Sequence, residues 1–582
     1  MAIKRRLAAS LVAAVPVLAG CDSESTMSPA LEVAIHSVLG GLEKGEAYVL
    51  RGGDIGSFPL LGGENGAEYI VVPFYAARED QELDLALRGD GVAAPRPLLA
   101  LAEGEELGRA GRMLGSPDRS RPGVGLGRAV AASDRAHEQL RTRMRREAAE
   151  LMRRGVPDQA SVRRSIAARR GNLALASAAV GDLVTLNVQA DVPCDDPQYR
   201  TGKVMAISER AIVVADTLNP ANGFDESHYR AFAAEFDELV HPVLTGTFGE
   251  PTDIDGNGKV IIFFTSAVND LTPPGSEGVI LGFFYARDLF PQGGVNGCAG
   301  SNEAEMFYMM VPDPKRAQLE PIFSLFWVEE LAMGIIAHEY QHLINSARRI
   351  YVNDAETFEE IWLDEALSHV AEELVFYAAS GMGPRRDIHV DDLLANNRRT
   401  DAVNRYMVDN FVRYGIFLQD IEGASIFSYD LAGRGGSWAF LRYVADRSGK
   451  SDEEFFRDLV NSRTAGLANL GRVSGEDPTE MARDWAVSIY TDNFVSGVPD
   501  KYKQPSWNFR SILPRVGIFN LTFPLSDRKF DGENAVNLAL RGGGTVIVRV
   551  PVDAASKAVL EATTPGGGSL PSTLHLTVLR TR

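Results

Sequence analysis

The sequence predicts a multidomain α+β protein, and three observations carry that reading. At 582 residues the chain is longer than a single hydrophobic core usually supports. Its middle, from about residue 225 to 500, places short apolar strands first and long amphipathic helices later, an α+β order. Both ends instead show the period-two alternation of half-buried strands, so small all-β modules should flank the central unit. With 45% hydrophobic and 24% charged residues, the composition is that of a folded globular chain rather than a disordered one.

The first twenty residues join a basic end, Lys4-Arg5-Arg6, to an apolar run from Leu7 to Leu18 that is too short to span a membrane. This is the pattern of a bacterial export signal. The run closes on Leu18-Ala19-Gly20-Cys21, which resembles the lipobox of bacterial lipoproteins. That resemblance implies a lipid on Cys21 and a place in the bacterial cell envelope, facing the periplasm or the exterior, with the membrane as partner. The leader carries three basic residues and no acids, so its removal takes the formal charge from −19 to −22. Such a surface repels nucleic acid. The remaining cysteines, Cys194 and Cys298, have the option of a disulfide in an oxidising compartment, provided their Cα atoms lie within about 7 Å.

Residues 21–45 read as a tether and 46–100 as a small β module built on the alternating stretches Tyr69 to Phe74 and Leu83 to Leu87. Residues 101–172 are helical and arginine-rich, with Arg141, Arg143, Arg145 and Arg146 among the cations. They are either a solvated connector or a propeptide whose dibasic pairs invite cleavage. Residues 173–224 return to alternation and form a second small β module. The central unit, 225–500, opens with a helix near Glu226 to Val240 and strands at Val260 to Thr265 and Met306 to Val311. Residues 505–582 alternate again and read as a sandwich-like β domain. Leu85-Ala86-Leu87-Arg88-Gly89 recurs as Leu538-Ala539-Leu540-Arg541-Gly542, a hint that the terminal modules are related.

The decisive motif is His338-Glu339-Tyr340-Gln341-His342, inside an apolar segment from Trp327 to about Arg348. Helix positions four apart share a face, so both imidazoles reach one ion while Glu339 addresses a water beside it. This spacing makes a zinc site with Glu339 as catalytic base. A catalytic zinc takes a third protein ligand. Asn345 and Arg348 stand where a metzincin would have glycine and histidine, so the ligand must lie further on.

Glu365 stands in Trp362-Leu363-Asp364-Glu365-Ala366. Here the sequence resembles the gluzincins, whose second helix carries the third ligand in a Trp-Leu-Asn-Glu-Gly type motif. The resemblance implies Glu365 as that ligand; Glu359 and Glu360 rival it by distance but are out of register with the tryptophan motif. HEYQHLIN from His338 to Asn345, with Gly278 to Pro291, Glu305 to Pro314 and the tryptophan motif, is similar to the hyicolysin family of secreted bacterial metallopeptidases over roughly residues 225–450. That similarity implies a zincin-like catalytic domain, a mixed sheet plus an active-site helix pair, and zinc-dependent endopeptidase activity on protein or peptide substrates.

Several residues have candidate supporting parts. Gluzincins generally supply a tyrosine or histidine to the tetrahedral oxyanion, and Tyr429, ahead of the helix Ser437 to Arg447, is placed for it. Glu372, two turns past Glu365, either accepts a hydrogen bond from a ligand histidine or is a surface acid; His369 is a weaker choice for that job. Zincins seat an extended substrate on an edge strand, for which Glu305-Met306-Phe307 is best placed by order. Asp253, Asp255 and Asn257 match the start of an EF-hand loop and are candidate calcium ligands. The loop's twelfth position is Phe264 rather than glutamate, however, and Asn257-Gly258 equally suits a bare turn. Two further readings stay open: an aminopeptidase of gluzincin type, which lacks its Gly-x-Met-Glu-Asn strand here, and an inert surface-binding lipoprotein on a zincin scaffold, against which the intact motif argues.

Overall fold

The structure, a computed structural model, describes residues 38–94, 114, 134–168, 178–190, 194–272, 279–530 and 535–582. The leader and Cys21 lie outside them. The chain opens with β1 (Ala47–Arg51), β2 (Ser57–Leu61), β3 (Ala67–Tyr75) and β4 (Glu82–Asp90), and the arginine-rich segment holds α1 (Asp134–Arg153) and α2 (Gln159–Ala168). Strands β5 (Leu183–Asn187), β6 (Tyr199–Ile207) and β7 (Ala211–Asp216) precede α3 (Glu226–Glu235) and α4 (His241–Phe248). Next come β8 (Val260–Phe264), β9 (Gly282–Phe284) and β10 (Met306–Met309). The helical half follows, with α5 (Leu325–Tyr351), α6 (Ile361–Ser380), α7 (Asn397–Tyr406), α8 (Val408–Gln419), α9 (Leu431–Arg447) and α10 (Pro478–Thr491) its main members. The chain ends in β11 (Arg528–Lys529), β12 (Val536–Arg541), β13 (Val548–Val552), β14 (Lys557–Thr563) and β15 (Leu574–Arg580).

The mixed α and β architecture is as expected, but its partition differs. A six-stranded sheet runs in the order β5-β6-β7-β8-β10-β9, so residues 173–224 extend the sheet of the central unit instead of forming their own module. The reason is legible in β7, Ala-Ile-Val-Val-Ala-Asp, where every position is buried. A strand covered on both faces belongs inside a larger sheet.

The terminal segments likewise merge. One sheet, β1-β15-β3-β13-β11, and another, β12-β4-β14-β2, each interleave strands from both ends of the chain into a single sandwich. The two Leu-Ala-Leu-Arg-Gly stretches prove to be neighbours in one antiparallel ladder, with Leu85 opposite Leu538. Strand β3 explains how the sandwich is attached. Its Tyr69, Val71 and Tyr75 enter the sandwich core, while the alternate Ile70, Val72 and Phe74 join the main core. Period-two alternation therefore appears as an unbroken apolar run, because both faces are buried.

Helix α5 starts where the Ser324 hydroxyl accepts the Trp327 amide, and its stretch from Ile336 to Ala347 is buried all round. Helix α6 is buried along nearly its whole length and ends at Gly381, whose φ of +72° is the left-handed cap that glycine adopts without strain. Cys194 and Cys298 are joined in a disulfide with a Cα separation of 4.7 Å. Among the described residues no helix is long and apolar enough to cross a membrane.

Leu576, on β15 and 0% exposed, fills the sandwich core. Leu576→Ala is expected to cost about 2–5 kcal/mol, read as a lower urea midpoint at an unchanged slope.

Candidate metal centre

Helices α5 and α6 bring His338, His342 and Glu365 together, all buried. The two Nε2 atoms face each other at 3.2 Å. Glu365 Oε2 lies 3.5 Å from His338 Nε2, and its Oε1 lies 3.7 Å from His342 Nε2. The rear nitrogens are fixed by carboxylates: His338 Nδ1 is 2.7 Å from Glu372 Oε1, and His342 Nδ1 is 2.9 Å from Asp364 Oδ2. In the tautomer that places each Nδ1 proton beside its carboxylate, both Nε2 lone pairs point at one spot. Two lone pairs at that distance repel unless an electrophile lies between them.

The geometry fits zinc. Ligands held at about 2.0–2.2 Å from a tetrahedral ion stand roughly 3.3–3.6 Å apart, close to the separation of the two imidazole nitrogens and to the distance at which each meets its own oxygen of Glu365. Glu365 Oε2 is also buried without a hydrogen-bond donor, an orphan that a cation would satisfy.

Glu372, placed by sequence on the same face as Glu365, meets His338 and also the Nδ1 of His369 at 3.0 Å. His369 thus contacts the carboxylate rather than the converging Nε2 pair, and burial pushes its imidazole down to about 3. Glu359 is occupied by Arg349 and the Gly466 amide, and Glu360 by the Trp362 indole, so neither rival reaches the centre. Asp364 was not singled out by sequence. It is the member of the tryptophan motif that buttresses His342, and it also accepts from Asn345 at 2.6 Å.

The arginine-rich helix α1 enters this centre. Its Leu140, Met144, Ala148 and Leu151 form a buried stripe at helical spacing, and Arg141 and Arg145 flank that stripe. Arg141, 6% exposed, places its guanidinium 3.3 Å from Glu339 Oε2 and 3.3 Å from Glu365 Oε1. Arg145 pairs with Asp364 and donates to the Glu359 carbonyl. A solvated connector is therefore the wrong description of this part of the segment. Burial opposes ionisation of Glu365, yet Arg141 and the two histidines hold it well below the usual carboxylate range. Arg434, from α9, stands 3.9 Å from Glu365 Oε2. Arg141 stands out in the sequence only as one cation of an arginine-rich run and Arg434 not at all, because charge pairing across hundreds of residues leaves no local pattern.

Tyr429 does not touch the histidines or Glu365; its hydroxyl lies 2.7 Å from the Thr142 hydroxyl, beside Arg141. The expected substrate strand needs correction. β10 is paired with β8 on one side and, from Phe307 to Met309, with β9 on the other, so it is an interior strand and Phe307 offers no free edge. Among the described residues the free edge at this end of the sheet is β9. Leu281 and Gly282 there line a cleft, with Gly334 and Arg434, that opens onto His338 and Glu339.

No known family profile matches the chain. Sequence similarity does reach the neutral metalloprotease ShpI of Staphylococcus hyicus, 26% identical over 325 residues that cover 54% of this chain and 67% of the relative. The chain is a distant relative of a metalloprotease. The relationship extends to metalloproteases in general and does not single out the hyicolysin type, which rests on the motifs alone.

Glu372→Gln and Asp364→Asn should each weaken zinc affinity about 10–100-fold while leaving the fold intact, as measured by competition with a chromogenic chelator.

Proposed function

We propose that this chain is a zinc-dependent endopeptidase, and that α1 and the residues around it are an inhibitory segment lying in the active site. The convergence of two buried Nε2 atoms and Glu365 on one point, one residue from Glu339, carries the first reading. The Arg141 contacts carry the second.

His338, His342 and Glu365 would hold the ion. Zinc, when bound, supplies a Lewis acid that polarises the scissile carbonyl and makes a water nucleophilic near neutral pH. Glu339 takes the proton of that water and passes it to the leaving amine nitrogen. An extended peptide laid along β9 gains main-chain hydrogen bonds that tolerate many side chains, which suits an endopeptidase acting on protein substrates. Arg434, which lines the cleft beside His338 and Glu339, is the candidate donor to the developing oxyanion, with Tyr429 a second candidate once α1 has moved.

With α1 in place, Arg141 occupies the base and the third ligand, and Thr142 occupies Tyr429. The Arg141 guanidinium seated on Glu339 Oε2 covers the oxygen with which the base would meet its water. The propeptide alternative is thereby favoured over a connector, and the protein so described is latent. Lipid attachment at Cys21, outside the described residues, would hold this protease at the cell envelope.

Two outcomes follow for hydrolysis of denatured casein. In chain activated by limited proteolysis, Glu339→Gln should lower the rate by on the order of 10²–10⁴ while about one zinc per chain is retained. Equal rates for variant and parent would remove Glu339 as the base. In the full-length chain, Arg141→Ala should raise the rate roughly 10–100-fold, since even one lost charge-assisted contact is worth about 1.5–3 kcal/mol. An unchanged rate would leave α1 a structural helix.

A further inference from the structure

Strands β8 and β10 are parallel neighbours, with Met306 in register with Ile261, so the turns that enter them lie side by side at one end of the sheet. The turn before β8 is Asp253 to Lys259, and the residue before β10 is Glu305. Carboxylate oxygens of Asp253, Asp255 and Glu305 lie within 4.8 Å of one another. Glu305 is 1% exposed. Its Oε1 accepts from the Thr252 hydroxyl at 2.8 Å and the Ile254 amide at 2.9 Å, while its Oε2 is buried with no hydrogen-bond donor. A buried carboxylate oxygen left in that state is costly unless a cation meets it.

The turn is built to hold the aspartates inward. Asp253 Oδ1 accepts the Gly258 amide at 3.0 Å, and Asp255 Oδ1 accepts the Asn257 amide at 3.1 Å. Asn257 braces the loop, its side-chain oxygen accepting the Lys259 amide and its Nδ2 donating to Asp255. Gly258, at the sixth position counted from Asp253, has a φ of +68°, the sharp bend at which EF-hand loops place glycine.

We infer that Asp253, Asp255 and Glu305 form a calcium site in which Glu305, from a different strand, supplies the carboxylate that the loop lacks at Phe264. The donors are all oxygens, which favours a hard cation over zinc. Oxygens at 2.3–2.6 Å from a calcium ion stand up to about 5 Å apart, and the cluster falls within that limit. Magnesium, which demands tighter octahedral geometry and keeps most of its waters, fits three converging protein carboxylates less well. The bound ion would clamp the loop entering β8 to the start of β10, beneath the sheet that supports α5.

The test is titration of calcium chloride into the full chain, freed of calcium and held at a constant zinc content, followed by calorimetry and by thermal unfolding. One calcium per chain should bind and raise the unfolding midpoint, with magnesium chloride giving a much smaller shift. Glu305→Gln keeps the shape and the bonds from Thr252 and Ile254; it should weaken calcium binding at least about tenfold and abolish the shift, with zinc content unchanged. Should that variant fail to fold, Asp253→Asn, on the half-buried rim, carries the same expectation. No calcium binding at millimolar concentration, an equal response to magnesium, or parental affinity in a folded variant would overturn the assignment.

Discussion

The Nε2 atoms of His338 and His342 stand 3.2 Å apart, and keeping them there governs what surrounds them. Neither ring holds such a position by itself; each is turned by a carboxylate behind it, Glu372 for one and Asp364 for the other. Both carboxylates and Glu365 come from α6, so the centre exists only while α6 is locked against α5. That lock explains why both helices are buried along most of their length rather than along one stripe. It also explains Gly334, where an added Cβ would stand 2.7 Å from the Arg405 carbonyl: the helix must let α7 approach closely.

Concentrating acids in a dry interior raises a second problem, since Glu339, Asp364, Glu365 and Glu372 are all buried. Buried charges persist only when paired and hydrogen-bonded. The pairing comes from two sources of different kind. Arg434 belongs to α9, inside the helical core. Arg141 and Arg145 belong to α1, which reaches the centre from a segment outside that core. Withdrawing α1 would leave a site richer in negative charge, hence one that favours a divalent cation. On the latent reading, the contact that would cover the proposed base and the charge that balances the acids are the same guanidinium.

How much of this was legible in the sequence depended on range. The His338 to His342 spacing and the tryptophan motif put three candidate ligands on two helices, because helical periodicity is local. The same periodicity placed Glu372 on the face of Glu365. Asp364 was in plain view, standing where the gluzincin motif has asparagine. Its part depends on where His342 turns, which no spacing reveals. β3 looked like a strand of a small N-terminal module, though its unbroken apolar run already marked burial on both faces. The edge of the sheet was misplaced onto β10 because strand order in space does not follow strand order in the chain. Glu305 and Arg141 are the extreme cases. Each is ordinary in its own neighbourhood and acquires meaning only from residues brought to it by the fold.

The sandwich bears on the latent reading in a way that the segment boundaries do not suggest. A propeptide ending near residue 172 and lost whole would carry away β1 to β4. Yet β3 lies at the centre of its sheet between β15 and β13, and β4 lies between β12 and β14. Their loss would expose Val71, Tyr69 and Leu85 together with the unpaired edges of β15, β13, β12 and β14, which water and aggregation would exploit. The disulfide joins Cys194 to Cys298 and so ties no N-terminal strand to the remainder. Release of Arg141 must therefore leave the first four strands in place. Either α1 and α2 swing out on an intact chain, or cleavage on both sides of them excises an internal piece and leaves a two-chain protein held by the ladders of the sandwich.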